Sequence, residues 1–349
     1  MRASPTPILL LLGVLLATPS TLRSQQAQPI SSEEVVAIVG GKVFTHADLE
    51  RLEAAKLLPA RDQFYKAQRE ALDHLIDETV LEMQAQREKV TVQQLLEAHV
   101  ISRVKDPTED QLEVYYEGVQ TDQPFAAVRD KILETIRQHR ISKARKEYLD
   151  SLRNQANLEV LLASPSADVA LGNAPTRGVQ NAPVLVIEFA DYECPYCQKI
   201  APDLKRLQAD YAGKVLFAFK DFPLAMHKRA QKAAEATRCA GQQDKFWEYH
   251  DLLFEKGSGL EIAQLKDYAR ALHLNAETFD KCLDSGETAQ VVKQDLEQAQ
   301  KLGLTGTPSF FVNGHFFSGA ASYSTIREIV DQQLTFLAAS KKKHFGGLQ

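Results

Sequence analysis

Between Val184 and Tyr211 the chain carries a pattern that narrows its fold sharply. An apolar run, Val184 to Phe189, reads as a buried strand. Ile200, Leu204, Leu207 and Tyr211 then recur at spacings of three and four, as on one face of a helix. Cys194-Pro195-Tyr196-Cys197 sits at the junction. Free backbone N–H groups and the positive end of the helix dipole stabilise an anion at a helix start. The thiolate is the attacking form of cysteine, so a Cys placed there is reactive near neutral pH. Pro195 suits the first helical turn, where a missing N–H costs nothing. Cys197 falls one turn later, within bonding reach of Cys194, so the pair can open and close as a disulfide.

Two other readings of the pair are weaker. Zinc would want two more Cys or His ligands, usually as a second short-spaced pair. Cys239 and Cys282 stand far apart and no close His pair follows, so neither metal nor cofactor is expected. An inert structural disulfide would be strained and exposed in a four-residue loop at a helix start.

The length of 349 residues suggests two domains once a targeting segment is removed. Hydrophobic content of 44% and charged content of 25% fit a globular chain. A formal charge of -5, without a basic stripe, argues against nucleic-acid binding. Arg2, the apolar Ile8–Ala17 and the small and polar residues after it read as a signal peptide over 1–24. Export places the chain in an oxidising compartment, periplasmic or extracellular, where disulfides persist. The even cysteine count then suggests a second disulfide, Cys239 with Cys282; two separate buried thiols are the alternative.

Residues 34–45 read as two short strands about a Gly40-Gly41 turn, with Thr45 capping a helix. A long amphipathic segment follows, with Phe64, Leu72, Leu75, Ile76, Val80 and Met83 on its apolar side. Thr91 with Gln94, and Thr108 with Gln111, are capping boxes. Another long helix follows Pro124, to about Asn154. His46, His74, His99 and His139 are scattered singly, and sites need convergent groups. The segments Val35–Leu49, Gln68–Leu81, Lys89-Val-Thr-Val and Pro107–Gln111 resemble the N-terminal chaperone domain of SurA-like periplasmic proteins over residues 33–163. The resemblance implies a mostly α-helical domain that cradles unfolded polypeptide. No parvulin domain follows, so prolyl isomerase activity is not expected.

Residues 164–182 lose periodicity and gain Pro, Gly and Ser, which reads as a linker. From Pro183 to about 340 the order is strand, CxxC helix, strand Val215–Lys220, a long helical stretch, Thr307-Pro308, a hairpin turning at Asn313-Gly314, and a final helix. This is an α/β thioredoxin order with a helical insertion. The motifs Phe189–Cys197, Phe219–Pro223 and Gly306–Gly314, with Ala233–Ala240 and Phe246-Trp247, resemble DsbA-like thiol–disulfide oxidoreductases.

The resemblance implies roles. Cys194 is the nucleophile and Cys197 the resolving thiol; Pro195 and Tyr196 set the local backbone and electrostatics. Thr307-Pro308 resembles the cis-proline site that faces the CxxC, where the Thr307 backbone can pair with an extended client. Glu188 matches a buried acid that accepts the proton of the buried thiol; a partly exposed strand-end Glu is the alternative. Lys220 and His227 are weaker candidates, His227 as a loop or cap residue. The expected activity is an exported thiol–disulfide oxidoreductase acting on folding proteins. Its redox partner would be a membrane quinone-linked thiol oxidase or a reducing partner. An isomerase or reductase made a homodimer by the N-terminal domain, and a non-catalytic holdase, are the alternatives.

Overall fold

The computed structural model describes residues 33–156, 158–319 and 322–345. The expected signal peptide, 1–24, lies outside them. The chain divides into two compact units at Leu49/Glu50.

In the first unit, β1 (Val35–Val39) and β2 (Lys42–Thr45) form an antiparallel hairpin. Gly40 and Gly41 take φ of 56° and 83° at its turn, where a side chain would be strained. The Thr45 hydroxyl accepts from the Asp48 N–H and the Asp48 carboxylate accepts from the Thr45 N–H, capping α1 (His46–Leu52).

The second unit, which takes in the last turn of α1, contains a 35-residue helix, α2 (Ala54–Glu88), about 50 Å long at 1.5 Å per residue. Its C-terminal part packs Val80, Leu81 and Ala85 against Leu95 of α3 (Val92–His99) and Leu152 of α5 (Phe125–Gln155). Capping boxes at Thr91 and Thr108 start α3 and α4 (Glu109–Glu117). This region is helical, as read from the sequence. The expected apolar face of α2 is only partly covered: Phe64 is 66% and Leu75 61% exposed, while Asp62 is buried. Beyond Leu58, the first half of α2 meets the rest of the chain through polar groups: Asp62 and Lys66 at Ser318, and Arg69 at Glu328.

A five-stranded sheet forms the centre of the rest, in the order β3 (Thr176–Gly178), β5 (Val215–Asp221), β4 (Val184–Ala190), β6 (Ser309–Val312), β7 (His315–Ser318). β4 and β5 run parallel, joined through α6 (Pro195–Asp210); the other pairs are antiparallel. Asn313 and Gly314, at φ of 48° and 84°, turn the β6–β7 hairpin. The expected linker 164–182 contains strand β3, and the Ala167 N–H donates to the Gly314 carbonyl. A three-residue strand held by main-chain bonds has no side-chain period to betray it.

Side-chain alternation divides the sheet into two buried faces. Val184, Val186, Phe217 and Phe310 pack under α6 and α12 (Tyr323–Phe345). Ile187, Phe189, Ala218 and Phe311 pack against α11 (Ala289–Lys301), and Leu58 of α2 joins this cluster. At that junction Gly303 lies too close to the Ala55 carbonyl for a Cβ to fit. Pro59, four residues on from Ala55, has no N–H to give that carbonyl. The helical insertion contains α7 (Ala230–Gly241), α8 (Phe246–Lys256), α9 (Ile262–Ala271) and α10 (Ala276–Ser285). A disulfide joins Cys239 of α7 to Cys282 of α10 across a Cα–Cα distance of 5.9 Å. Among the described residues no helix is long and apolar enough to cross a membrane.

Candidate active site

β4 ends at Ala190, and a four-residue loop delivers Cys194 to the N-cap position of α6, with Pro195 in its first turn. Asp191 shapes that loop. Its Oδ1 accepts from the Glu193 N–H at 2.7 Å, the turn geometry typical of an Asp two residues ahead. Its Oδ2 takes the Leu224 N–H at 2.8 Å and lies 2.8 Å from His227 Nδ1. Glu193 accepts from the Arg229 backbone N–H and from its guanidinium. Gln198 donates to the Tyr192 and Gly257 carbonyls. The loop is therefore tied from several sides before its cysteine does anything.

Cys194 and Cys197 are free thiols, 3% and 0% exposed. Their environments differ. The Cys197 thiol beside it and the backbone N–H groups of Tyr196 and Cys197 hold the Cys194 thiol down, from 9.0 to about 5. Burial pushes the Cys197 thiol well up, and the hydrogen bond it gives Cys194 and the nearby Glu188 charge add to that. One group is a thiolate at neutral pH and the other remains a thiol.

The Thr307–Pro308 peptide is cis, and the Cys194 Sγ lies 3.4 Å from the Thr307 carbonyl. The chain thus brings the 307–308 turn, 113 residues on, directly over Cys194. Thr307 is buried, while Tyr196 is exposed at the rim. Glu188 faces the same side of the sheet as Val186 and its own cross-strand partner Phe310, under α6; it is 9% exposed, and burial pushes its carboxyl up to about 8. Lys220 does not accompany it. The register pairs Glu188 with Phe219 and Phe189 with Lys220, so Lys220 lies on the other face. There it bonds Asp295 at 2.9 Å, within a buried network in which Arg238 holds both Asp221 and Asp295. His227, read as a loop or cap residue, lies in the loop between β5 and α7 and meets the carboxylate that shapes the Cys194 loop.

Sequence reasoning missed Asp191, Glu193 and Arg229. The Asp two residues before Glu193 was a readable turn signal, but Arg229 lies 36 residues away and left none. Among the described residues no group of three or more His, Cys, Asp or Glu is placed to hold a metal ion.

The family model described as thioredoxin matches residues 170–332. That stretch forms a thioredoxin-like domain. Among solved structures, the chain is similar to oxidised BdbD from Bacillus subtilis: 29% identity, 50% of this chain and 99% of that one, TM-score 0.46. The thiol-disulfide exchange protein α-DsbA2 from Wolbachia pipientis is 24% identical over 46% of this chain and 87% of its own, TM-score 0.43. Among curated proteins, the Na(+)/H(+) antiporter NhaA 3 of Salinispora tropica is 37% identical over 172 residues, 49% of this chain and 26% of that protein. The chain spans about a quarter of the length of such relatives.

Proposed function

We propose that this protein is an exported thiol–disulfide oxidoreductase that makes disulfides in folding client proteins. The observation that carries the reading is the split between a stabilised Cys194 thiolate and a protonated Cys197 thiol beneath the Thr307-Pro308 turn. A stabilised thiolate favours the reduced form, which makes the disulfide form the better oxidant.

In the forward reaction a client thiolate attacks the Cys194 sulfur of the Cys194–Cys197 disulfide. A client–Cys194 disulfide forms and Cys197 leaves as a thiolate. Glu188, protonated at neutral pH, gives Cys197 its proton. A second client thiolate, its own proton lost to solvent, attacks the client sulfur of the mixed disulfide and expels Cys194 as a thiolate. The client has lost two electrons and the protein has gained them. Renewal needs an oxidising partner, for which a membrane quinone-linked thiol oxidase has the right chemistry.

The half-bare apolar side of α2, with Phe64, Leu75 and Met83 exposed, supports a client-holding role for the helical region. Oxidation of a reduced, unfolded substrate protein tests the activity. The chain oxidised at its CxxC should restore native disulfides stoichiometrically, and Cys194→Ser should not. Protection of the substrate from aggregation by both proteins, with no disulfides formed by either, would leave a holdase.

A further inference from the structure

A groove of about 450 Å³ lies between α2 and residues of β7 and α12, among them Ser318 and Thr325. Tyr65, Phe317 and Ile329 give it apolar walls, and α2 lines it with Asp62, Lys66, Arg69, Glu70, Asp73 and Asp77. These positions recur at helical spacing, so a single face of α2 presents them. The groove adjoins the reactive centre. Ser318 pairs with Ser309 across the β6–β7 ladder, and the Gly319 N–H donates to the Pro308 carbonyl. The groove wall is therefore one hydrogen bond from the turn that covers Cys194.

Its chemistry favours a cation. Asp62 is 7% exposed; its Oδ2 bonds Lys66 Nζ at 2.7 Å and Ser318 Oγ at 3.1 Å, while its Oδ1 is buried with no hydrogen-bond partner. A buried carboxylate oxygen left unpaired is costly and invites a donor. Lys66 also donates to Ser318 at 2.8 Å, so two acceptors already converge on an ammonium. That lysine is half exposed and held at its tip alone, so another cation can displace it. Glu70 is exposed at the groove and forms no ion pair among the described residues. Arg69 is committed to Asp73 and Glu328, Arg153 to Asp73 and Asp77, and His74 also lines the groove. The carboxylate left for a further cation is therefore Glu70 and the unpaired oxygen of Asp62, on walls otherwise suited to aliphatic stems.

We propose that this groove is a client subsite that takes an Arg or Lys side chain a few residues from the cysteine undergoing exchange, its stem against Phe317 and Ile329 and its charge at Asp62 and Glu70. The proposal rests on the thiol–disulfide reading above and deepens it. It gives α2 a direct part in choosing clients, because α2 supplies the acidic wall beside the thioredoxin-like domain's own turn.

Unfolded peptides with one cysteine, activated as a mixed disulfide with a chromogenic thiol, provide the test. They differ only in whether Arg or Glu stands three to six residues from the cysteine. The second-order rate constant for release of the chromogenic thiol by the reduced protein is divided by that for reduction of the same protein's disulfide form by dithiothreitol. The Arg peptides should react about tenfold faster than the Glu peptides at low salt, and the ratio should fall as salt screens the groove. Glu70→Lys, on the exposed surface, should bring the ratio to one or below; Asp62→Asn should lower it at all salt concentrations. Equal rates for both peptides, or a preference that survives Glu70→Lys, would overturn the subsite. Failure of the parent protein to react even with dithiothreitol would instead remove the oxidoreductase reading itself.

Discussion

The two cysteine pairs occupy adjoining parts of one apolar cluster yet differ in every property that matters. Cys239 and Cys282 are 43 residues apart on two helices and are joined in a buried disulfide. Cys194 and Cys197 are neighbours on one turn and remain thiols, one held as thiolate and the other neutral. Burial is similar for all four. What differs is that the backbone N–H groups of the first turn of α6 converge on the Cys194 sulfur, whereas the Cys239 sulfur has the Thr288 hydroxyl 3.7 Å away. The stability of a thiolate here follows backbone position and neighbouring protons.

That contrast can be broken most severely at Cys194. Cys194→Ser should lower client oxidation by more than about 10³-fold, whereas replacing both Cys239 and Cys282 by Ala should leave the CxxC potential nearly unchanged. Next comes Glu188. Glu188→Gln should slow the step that transfers a proton to or from Cys197 by about 10²-fold. It also has a stability signature. Below the usual carboxylate range Glu188 is neutral whether folded or unfolded. As pH rises from 4.5 towards 8 only the unfolded chain loses the proton, so the native state is progressively penalised. The Gln variant should therefore gain on the parent across that window, by on the order of 4 kcal/mol at its upper end, in urea melts at a series of pH values.

The third change removes the other pair. Opening the Cys239–Cys282 loop should cost about 4 kcal/mol, read as a lower denaturation midpoint, by chain-entropy reasoning for a loop of that size. The smallest effect expected is at Asp191. Asp191→Ala frees two backbone N–H groups and His227, and should cost about 2 kcal/mol while loosening the Cys194 loop. A fall in Cys194 reactivity out of proportion to that loss would sharpen the view that the loop, and not sulfur chemistry alone, sets the site.

Much of the site was legible because its signals are local. The strand, the CxxC, Pro195 and the following period of three and four are contiguous, and Thr307-Pro308 is a dipeptide with a distinctive turn role. The capping boxes at Thr91 and Thr108 are local in the same way. What escaped is what depends on distant charge. Arg69 meets Glu328 across 259 residues, Lys66 meets Ser318 across 252, and Lys220 chooses Asp295 rather than Glu188. Polar pairing has no period in a sequence. The apolar side expected of α2 consequently leaves Phe64 and Leu75 exposed, while its charged side makes these pairs.

The start of α6 makes Cys194 a thiolate while Cys197 stays protonated. The thiolate's ultraviolet absorbance, followed in the reduced protein as pH is raised and with the oxidised protein as blank, reads this split. One thiol should ionise near pH 5, absent in Cys194→Ser, with no second step below the ordinary cysteine range. The reduction potential should accordingly change by about 30 mV per pH unit just above that midpoint and about twice that below it. A single ionisation near pH 9, or a step near pH 5 that survives Cys194→Ser, would contradict it.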